Sequence, residues 1–230
     1  MSIPKATIQF LEQYFDKILV VSVPRFTQRH EKVKQSLAGL YFEFFWGADK
    51  QNLDYERAKR DGTYDEVNAK RLQRQGKALN LGEIACSLSH RYLYAAMIEN
   101  KWKKILILED DVLPVTKHMQ ELPAALQELP DNWELVYLGY LKHEQVTAGL
   151  KLKQFFYKIT SALGLMTWTY KMVSNLLPKP YSLRLRKAGF HDCTHAYALT
   201  LEGAKKLLTA QTPVVYRADD LLSSSIMKGE

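Results

Sequence analysis

The stretch KKILILEDDV, residues 103–112, decides the fold prediction because four apolar residues run directly into three acids. A continuous apolar run rich in branched side chains is typical of a strand buried on both faces of a parallel sheet. Neighbouring carboxylates repel one another, so Glu109, Asp110 and Asp111 need either solvating water or a cation among them. The stretch therefore predicts a buried strand that ends in a solvated acidic turn or in a cation site.

The segment before this strand, LNLGEIACSLSHRYLYAAMIEN at residues 79–100, carries the strongest helix signal in the chain. Asn80 can cap the helix, and Glu83 three residues later completes a capping box. Asn100 is a suitable residue for the end of the helix. Apolar side chains at spacings of three and four residues predict one buried face. They are Ile84, Leu88, Tyr92, Ala95 and Ile98.

Further strands and helices alternate along the rest of the chain. Apolar runs predict strands at residues 17–23, 41–46, 133–140 and 195–200. Helical patterns predict helices at residues 6–15, around 119–129 and at 201–211. Alternation of this kind favours an α/β fold with a mainly parallel sheet.

Length and composition favour one globular domain, residues 1–230. The 230 residues are 47% hydrophobic and 25% charged, which is ordinary for a soluble protein. The formal net charge of +7 favours an anionic partner such as a nucleotide, a nucleic acid or a membrane surface. No apolar run approaches the roughly 20 residues that cross a bilayer, and the first residues lack a secretory apolar core. We therefore expect a cytoplasmic location.

Residues 145–190 form a basic and aromatic insertion of distinct composition. Residues 145–191 contain no acid. The basic residues are Lys151, Lys153, Lys158, Lys171, Lys179, Arg184, Arg186 and Lys187. Basic residues interleaved with aromatic ones favour an anionic membrane surface or an acceptor contact. The alternative is a solvated insertion whose apolar residues complete the core, and the absence of a nucleic-acid motif argues against RNA.

The acids after Leu108 match a pattern found in nucleotide-sugar glycosyltransferases, which place an acid–any–acid triplet on a loop after a buried strand. There Mn²⁺ or Mg²⁺ bridges the two phosphates of the donor. The leaving group of such a reaction is a nucleoside diphosphate, whose developing charge requires a cation. Hard carboxylate oxygens suit these metals. Asp111, furthest out on the predicted loop, is the best direct ligand, with Glu109 beside it.

The helix and strand together resemble the bacterial lipooligosaccharide enzymes of glycosyltransferase family 25. That family has a G-E-I-G-C-x-x-S-H helix followed by an apolar strand ending in E-D-D. Residues 82–90 read GEIACSLSH, so the pattern departs only at Ala85. Three further segments resemble the family: FFWGADKQNL at 44–53, HAYALTLEGAKKLL at 195–208 and VVYRADDLL at 214–222. The first strand departs, because Ser22 stands where the family commonly has asparagine.

The resemblance implies a GT-A-like fold and transfer of a sugar from a UDP-sugar with inversion at the anomeric carbon. UDP-galactose is the commonest donor in the family. The acceptor would be a growing lipid-linked oligosaccharide on the cytoplasmic side of a bacterial inner membrane, with the protein peripheral on that membrane. No nucleic-acid partner is expected.

The resemblance also supplies candidate roles for single residues. His195 would join Asp111 and Glu109 on the metal or contact phosphate, although a histidine at a strand end can simply bond to backbone. Donor-binding candidates are Ser22, Arg25, Asp49, Lys77, Glu83, Ser89, His90 and Asp110. Of these, Asp49 would meet the ribose or uracil, and Lys77 with Arg74 would neutralise phosphate charge. Glu83 and His90 have local alternatives, as a capping residue and as a hydrogen-bonding residue.

Inversion requires a general base that takes a proton from the acceptor hydroxyl as it attacks. Asp219 and Asp220 are the candidates, and the spacing of Asp220 to the following leucines fits the family better. At least one of the two is expected to cap the following helix. Two other functions stay open: a metal-dependent nucleotidyl- or phosphotransferase that uses the same acids, and a non-catalytic membrane-surface or RNA-binding module.

Overall fold

A computed structural model describes residues 3–73 and 76–229 of the chain. Within these residues, seven strands form a five-stranded sheet and a separate two-stranded ribbon. The sheet contains β1 (Lys17–Ser22), β2 (Glu43–Trp46), β3 (Lys104–Glu109), β4 (Leu135–Leu141) and β7 (Asp192–Thr200). The ribbon pairs β5 (Lys179–Pro180) with β6 (Arg186–Lys187). All four strands predicted outside residues 103–112 are present, with ends that differ from the prediction by no more than three residues.

The strand order in the sheet is β2-β1-β3-β7-β4, and the sheet is mixed. Strands β2, β1 and β3 pair in parallel, whereas β7 runs antiparallel to both β3 and β4. The carboxyl ends of β1, β2, β3 and β4 therefore lie at one edge, together with the first residues of β7. This is a mixed α/β sheet with a GT-A-like arrangement, as the sequence predicts, but two of its four strand pairings are antiparallel, so it is less parallel than expected.

Strand β3 is buried on both faces, which explains its uninterrupted apolar sequence. Leu106 and Leu108 pack into one core, which includes Leu11 of helix α1 (Lys5–Tyr14) and Val33 of helix α2 (Thr27–Ser36). Ile105 and Ile107 point the other way, into a second core. The second core contains side chains of α5 (Leu81–Glu99), α9 (Leu201–Ala210) and α10 (Ala218–Lys228). The alternation of side chains along the strand thus joins two layers of helices through one sheet.

Helix α5 begins with the predicted capping box. The Asn80 side chain accepts from the Glu83 backbone N–H, and the Glu83 carboxylate accepts from the Asn80 backbone N–H. Its predicted buried face is only partly correct. Ile84 and Leu88 are fully buried, but Tyr92 and Ala95 are exposed. The second half of the helix instead buries Leu93, Tyr94 and Met97. The first half packs in a third cluster and the second half packs in the core under the sheet, so the buried side rotates along the helix.

The remaining helices that the structure describes lie in the connections between strands, and all but one of them are one to two turns long. They are α3 (Tyr55–Arg60), α4 (Glu66–Leu72), α6 (Leu122–Gln127), α7 (Ala148–Ala162) and α8 (Tyr170–Ser174), with 3-10 turns at Lys50–Asn52 and Thr116–Glu121. The predicted helix around residues 119–129 is therefore a 3-10 turn followed by α6. Helices α7 and α8 and the β5–β6 ribbon make up most of the basic insertion. Among the described residues, no helix combines the length and the apolar character needed to cross a bilayer.

Candidate active site

The three acids after β3 have different environments. Asp110 is only 6% exposed, and its carboxylate accepts hydrogen bonds from Ser22 and, at 2.7 Å, from Arg29 Nη1. Arg29 Nη1 also lies 3.5 Å from Asp111 Oδ2. The hydrogen bond to Asp110, followed by the charges of the acids, raises the pKa of the Arg29 guanidinium. Arg29 is thus the positive charge that allows three acids to lie together.

Glu109 and Asp111 lie close to His195 at the carboxyl edge of the sheet. One ligand atom from each of these three side chains lies within 4.8 Å of the others, which is a spacing that a metal ion could bridge. Asp111 is exposed, and the other two are half-buried. The structure therefore brings together the three residues that the sequence analysis named as metal ligands.

Strand register explains why His195 meets Glu109. Leu108 pairs with Ala196 across the antiparallel β3–β7 ladder, so the next residue of β3 faces the preceding residue of β7. His195 Nδ1 lies 2.9 Å from Glu109 Oε2, and the hydroxyl of Thr194 donates to Glu109 Oε1 at 2.6 Å. Each carboxylate oxygen has a second lone pair, so Glu109 can accept both bonds and still bind a cation.

An open cleft of about 380 Å³ extends from the acids towards the ends of β1 and β2. Its walls are polar near Arg25, Asp49 and the three acids, and apolar near Val21 and Ala85. Five predicted donor-binding residues line it together with Asp110: Ser22, Arg25, Asp49, Ser89 and His90. The cleft therefore joins two predicted metal ligands, Glu109 and Asp111, to most of the predicted donor-binding residues.

Arg25 and Asp49 form an ion pair on one wall of the cleft. Arg25 Nε donates to Asp49 Oδ2 at 2.6 Å, and Asp49 Oδ1 accepts from the Gln51 backbone at 2.9 Å. The hydrogen bond from Arg25 lowers the pKa of Asp49. The guanidinium also lies over the ring of Phe26, with a separation of 4.4 Å. Asp49 is therefore a fixed, ionised acceptor at the mouth of the cleft.

Ser89 and His90 are held by bonds within the protein. The Ser89 hydroxyl donates to the Ala85 carbonyl and accepts from the Ala48 backbone at 2.9 Å, which attaches the end of β2 to helix α5. His90 Nδ1 lies 2.7 Å from the Tyr197 hydroxyl, which in turn contacts Tyr94. Burial lowers the pKa of His90 and raises that of Tyr197 well above its ordinary value. Both side chains are consequently neutral at pH 7.

Asp219 and Asp220 lie in the first turn of α10 and have different partners. Asp220 is buried and bonded to Arg217, with Nε and Nη2 at 2.8 and 2.7 Å from its Oδ2. Asp219 is half-buried, and its carboxylate accepts from the backbone of Cys193 at 3.1 Å and of Asp220 at 2.9 Å. Cys193 directly precedes the threonine that bonds Glu109, so Asp219 lies just across the start of β7 from the acid cluster.

Glu83 and Lys77 lie further from the acids. Glu83 serves the capping box of α5, and its other oxygen lies 3.9 Å from Arg217 Nη1. Lys77 is exposed and is not among the described residues that line the cleft. Arg74 lies outside the described residues.

Two residues of the site were missed by the sequence analysis. Arg217 lies between Glu83 and Asp220, and Thr194 positions Glu109. Arg217 directly precedes the two aspartates and Thr194 directly precedes His195, so adjacency to named residues was the only available signal.

A GT-A-like fold with a carboxylate and histidine cluster at the carboxyl edge of its sheet defines a class of candidate nucleotide-sugar transferases. Comparison with known proteins narrows this class. A family model described as Glycosyltransferase family 25 (LPS biosynthesis protein) matches residues 15–222. The chain belongs to glycosyltransferase family 25.

Individual relatives are distant and longer than this chain. A glycosyltransferase 25 family member of Drosophila melanogaster is 26% identical over 85% of this chain and 28% of its own length. Procollagen galactosyltransferase 2 of Mus musculus is 24% identical, over 85% and 28% respectively. Inactive glycosyltransferase 25 family member 3 of Homo sapiens is 27% identical, over 86% and 29%. This chain therefore spans less than a third of these relatives, and the group includes proteins named as inactive.

Proposed function

We propose that this protein is a metal-dependent, inverting glycosyltransferase that moves a sugar from a UDP-sugar to a lipid-linked oligosaccharide. The observation that carries the proposal is the cluster of Glu109, Asp111 and His195 beside a cleft lined by polar residues. Family membership supports sugar transfer, and a relative named as a galactosyltransferase supports galactose as the sugar.

The donor atoms of the cluster fit Mn²⁺ or Mg²⁺. Two carboxylates supply hard oxygen ligands, and an imidazole nitrogen is compatible with Mn²⁺. When bound, such an ion would neutralise the charge that develops on the departing UDP. Thr194 donates to Glu109 and orients its carboxylate, whereas the carboxylate of Asp110 is occupied by Ser22 and Arg29. Glu109, Asp111 and His195 would therefore hold the ion.

The walls of the cleft suit the uridine end of the donor. Asp49 is an ionised acceptor that can take hydrogen bonds from ribose hydroxyls or from the uracil N–H. Arg25 orients Asp49 and adds a positive charge close to the region that the diphosphate would occupy. Ser89 and His90 would support donor binding indirectly, because their hydrogen bonds hold the cleft wall and β7 in place.

Asp219 is the better placed of the two candidate bases. Asp220 is buried against Arg217, which restricts its access to a substrate hydroxyl. Asp219 is half-buried, and the backbone N–H groups of Cys193 and Asp220 fix its carboxylate. A fixed carboxylate across the start of β7 from Glu109 can take the proton of an attacking hydroxyl. Glu109, Asp111 and His195 would hold the ion that neutralises charge on the leaving group.

The acceptor in this proposal is a growing lipooligosaccharide, which places the protein on the cytoplasmic side of a bacterial inner membrane. The description of the matching family as an LPS biosynthesis protein supports this acceptor. A procollagen acceptor is the contrasting case, because one relative is named for it.

The proposal is tested with a panel of UDP-sugars and Mn²⁺, read as UDP release and as thermal shift. We expect UDP-galactose to stabilise the protein and to release UDP only when a saccharide acceptor is present. Asp111→Asn should abolish both effects, whereas Asp131→Asn, in an exposed turn, is the matched control. Asp219→Asn should keep the thermal shift and lose transfer.

Three results would contradict the proposal. No stabilisation by any UDP-sugar would place the chain with its inactive relatives. Release of a nucleoside monophosphate would indicate a nucleotidyl- or phosphotransferase instead. Transfer to a procollagen peptide and not to a saccharide acceptor would keep the enzyme class and exclude the lipooligosaccharide.

A further inference from the structure

Helix α7 carries two apolar faces, and only one of them is covered by the protein. On the covered face, Leu150 and Tyr157 pack against a small cluster that includes Phe190 and Met227 of α10. Gln154, between them on the same face, donates to the carbonyl of Val173 at 2.7 Å. This face attaches the insertion to the rest of the molecule.

The second face of α7 is an exposed apolar stripe. At 3.6 residues per turn it lies roughly opposite the covered face. The exposed fraction of its side chains runs from 43% for Ile159 to 67% for Leu163. The stripe consists of Leu152, Phe155, Phe156, Ile159 and Leu163. Single exposed apolar residues are normal, but a contiguous stripe on a helix marks an interaction surface.

Lysines flank the exposed stripe on both sides. By helical spacing, Lys151 and Lys158 lie along one side and Lys153 lies along the other. Within the described part of the chain, none of the three forms an ion pair with a carboxylate. Lys153 and Lys158 instead lie over the rings of Tyr157 and Tyr170, at 5.4 and 5.6 Å. Because residues 145–191 contain no acid, the positive charge around the stripe is not balanced within the insertion.

We propose that the exposed stripe of α7 docks on an anionic lipid surface, with the apolar side chains among the acyl chains and the lysines at the headgroups. A helix with aromatic and aliphatic residues on one side and flanking lysines has the chemistry of such a contact. A second copy of this chain is a poorer partner, because a twofold contact through the stripe would bring unpaired lysines of both copies together.

The position of the insertion connects this surface to the active site, and this connection rests on the proposed function. The chain leaves the sheet at the carboxyl end of β4 and returns at the start of β7. Leu141 and Asp192, the residues at these two points, are partners across the ladder. Both points lie at the sheet edge that carries Glu109, Asp111 and His195, so docking would bring the cleft towards lipid-linked acceptors.

Vesicle flotation tests the docking directly and needs no substrate or metal. One set of vesicles is phosphatidylcholine alone, and the other contains phosphatidylglycerol as well. We expect the protein to float with the anionic vesicles only, and to be released as the salt concentration rises, because salt screens the lysines.

Two double variants separate the apolar and electrostatic parts of the contact. Phe155→Ser with Phe156→Ser should abolish flotation, and Lys151→Glu with Lys158→Glu should weaken it by at least about fivefold per lysine. Phe155, Phe156 and Lys151 are exposed, and Lys158 is half-buried beside the Tyr170 ring, so circular dichroism should stay unchanged and the melting temperature should change little. The control carries Lys32→Glu on α2 and Val67→Ser on α4, both exposed and remote in sequence, and should float like the parent.

Several outcomes would overturn the docking proposal. They are equal binding to neutral vesicles, absence of flotation by the folded parent, and flotation of the two double variants at the parent level. A dimer in analytical ultracentrifugation that only the phenylalanine variant abolishes would assign the stripe to a second copy. Binding of a single-stranded RNA oligonucleotide through the same lysines, without flotation, would assign it to nucleic acid. Loss of UDP release with intact flotation would reject only the proposed function.

Discussion

Asp110 and Asp111 are adjacent acids whose replacement by asparagine is expected to have different consequences. Asp110 is buried and accepts from Ser22 and Arg29, whereas the Asp111 side chain is 54% exposed. A hydrogen bond to a charged group contributes about 1.5–3 kcal/mol. Asparagine keeps one acceptor oxygen but turns an amide N–H₂ towards one of the two donors. Since Arg29 is half-exposed and screened by water, we expect Asp110→Asn to lower the free energy of unfolding by about 2 kcal/mol.

Asp111→Asn should hardly change the stability of the metal-free protein, by about 0.5 kcal/mol or less, as is usual for exposed positions. Its effect should appear only with metal. A ligand at 100 times its dissociation constant stabilises the folded state by about 2.7 kcal/mol. We expect the parent and Asp110→Asn to gain this stabilisation from Mn²⁺, and Asp111→Asn to lose most of it.

The assay is urea unfolding followed by far-ultraviolet circular dichroism, with chelator and then with excess Mn²⁺. The parent and the two variants are each measured under both conditions. The measurements with chelator give the intrinsic free energy of unfolding, and the increase with Mn²⁺ gives the stabilisation by metal binding. Equal intrinsic stability of Asp110→Asn and the parent would refute the buried contact to Arg29. Full Mn²⁺ stabilisation of Asp111→Asn would refute the metal cluster.

Three further predictions address other parts of the site. Thr194→Val removes the bond that orients Glu109 and should weaken Mn²⁺ binding about tenfold in calorimetric titration. Gly47→Ala places a Cβ 2.2 Å from Ser89 Oγ and should lower the free energy of unfolding by about 1–3 kcal/mol in urea. The pKa of His90 is lowered by burial from its ordinary 6.5, so below that pH the unfolded chain binds more protons than the folded one. The free energy of unfolding should therefore fall as pH drops below 6.5, by up to about 1.4 kcal/mol per pH unit, and His90→Gln should reduce that slope.

Each of these predictions has a matched control. Thr194→Ser keeps the hydroxyl and should bind Mn²⁺ like the parent. Gly149→Ala lies in α7 with no side chain closer than 3.9 Å to the new Cβ, and should be neutral or slightly stabilising. His118→Gln makes the same replacement at an exposed histidine and is the control for His90→Gln. A variant that behaves like its control would show that the corresponding contact does not contribute.

Much of the fold could be predicted because its signals are local. Uninterrupted apolar runs predicted β1 and β3, and the Asn80–Glu83 capping box predicted the start of α5. The direction of β7 is not a local property, because a short apolar strand has the same sequence pattern whichever way it runs. The buried face of α5 was also wrong in its second half, since a one-stripe template does not describe a helix that packs against two clusters.

In the candidate site, as in the fold, the sequence predicted local features and not those that depend on tertiary contacts. The sequence showed the three acids directly, and the resemblance to family 25 indicated His195 as a further candidate ligand. The separate environments of the acids were not predictable, because they depend on contacts from Arg29 of α2, which is distant in sequence. Nor could sequence choose between Asp219 and Asp220, which differ in contacts made by Cys193 and Arg217.

The pairing of Leu141 with Asp192 makes the whole of residues 142–191 a long loop between two adjacent antiparallel strands. The entropy needed to close such a connection grows only with the logarithm of its length, so loop closure itself sets little limit on that length. Removal of the segment would also uncover Met227 of α10, which packs against Phe190. Under the proposed function, the segment expected to meet the acceptor is separate in sequence from the strands and acids of the cleft. A variant that joins β4 to β7 with a two-residue turn would keep every described residue that lines the cleft, so the proposed donor binding could be tested apart from acceptor choice.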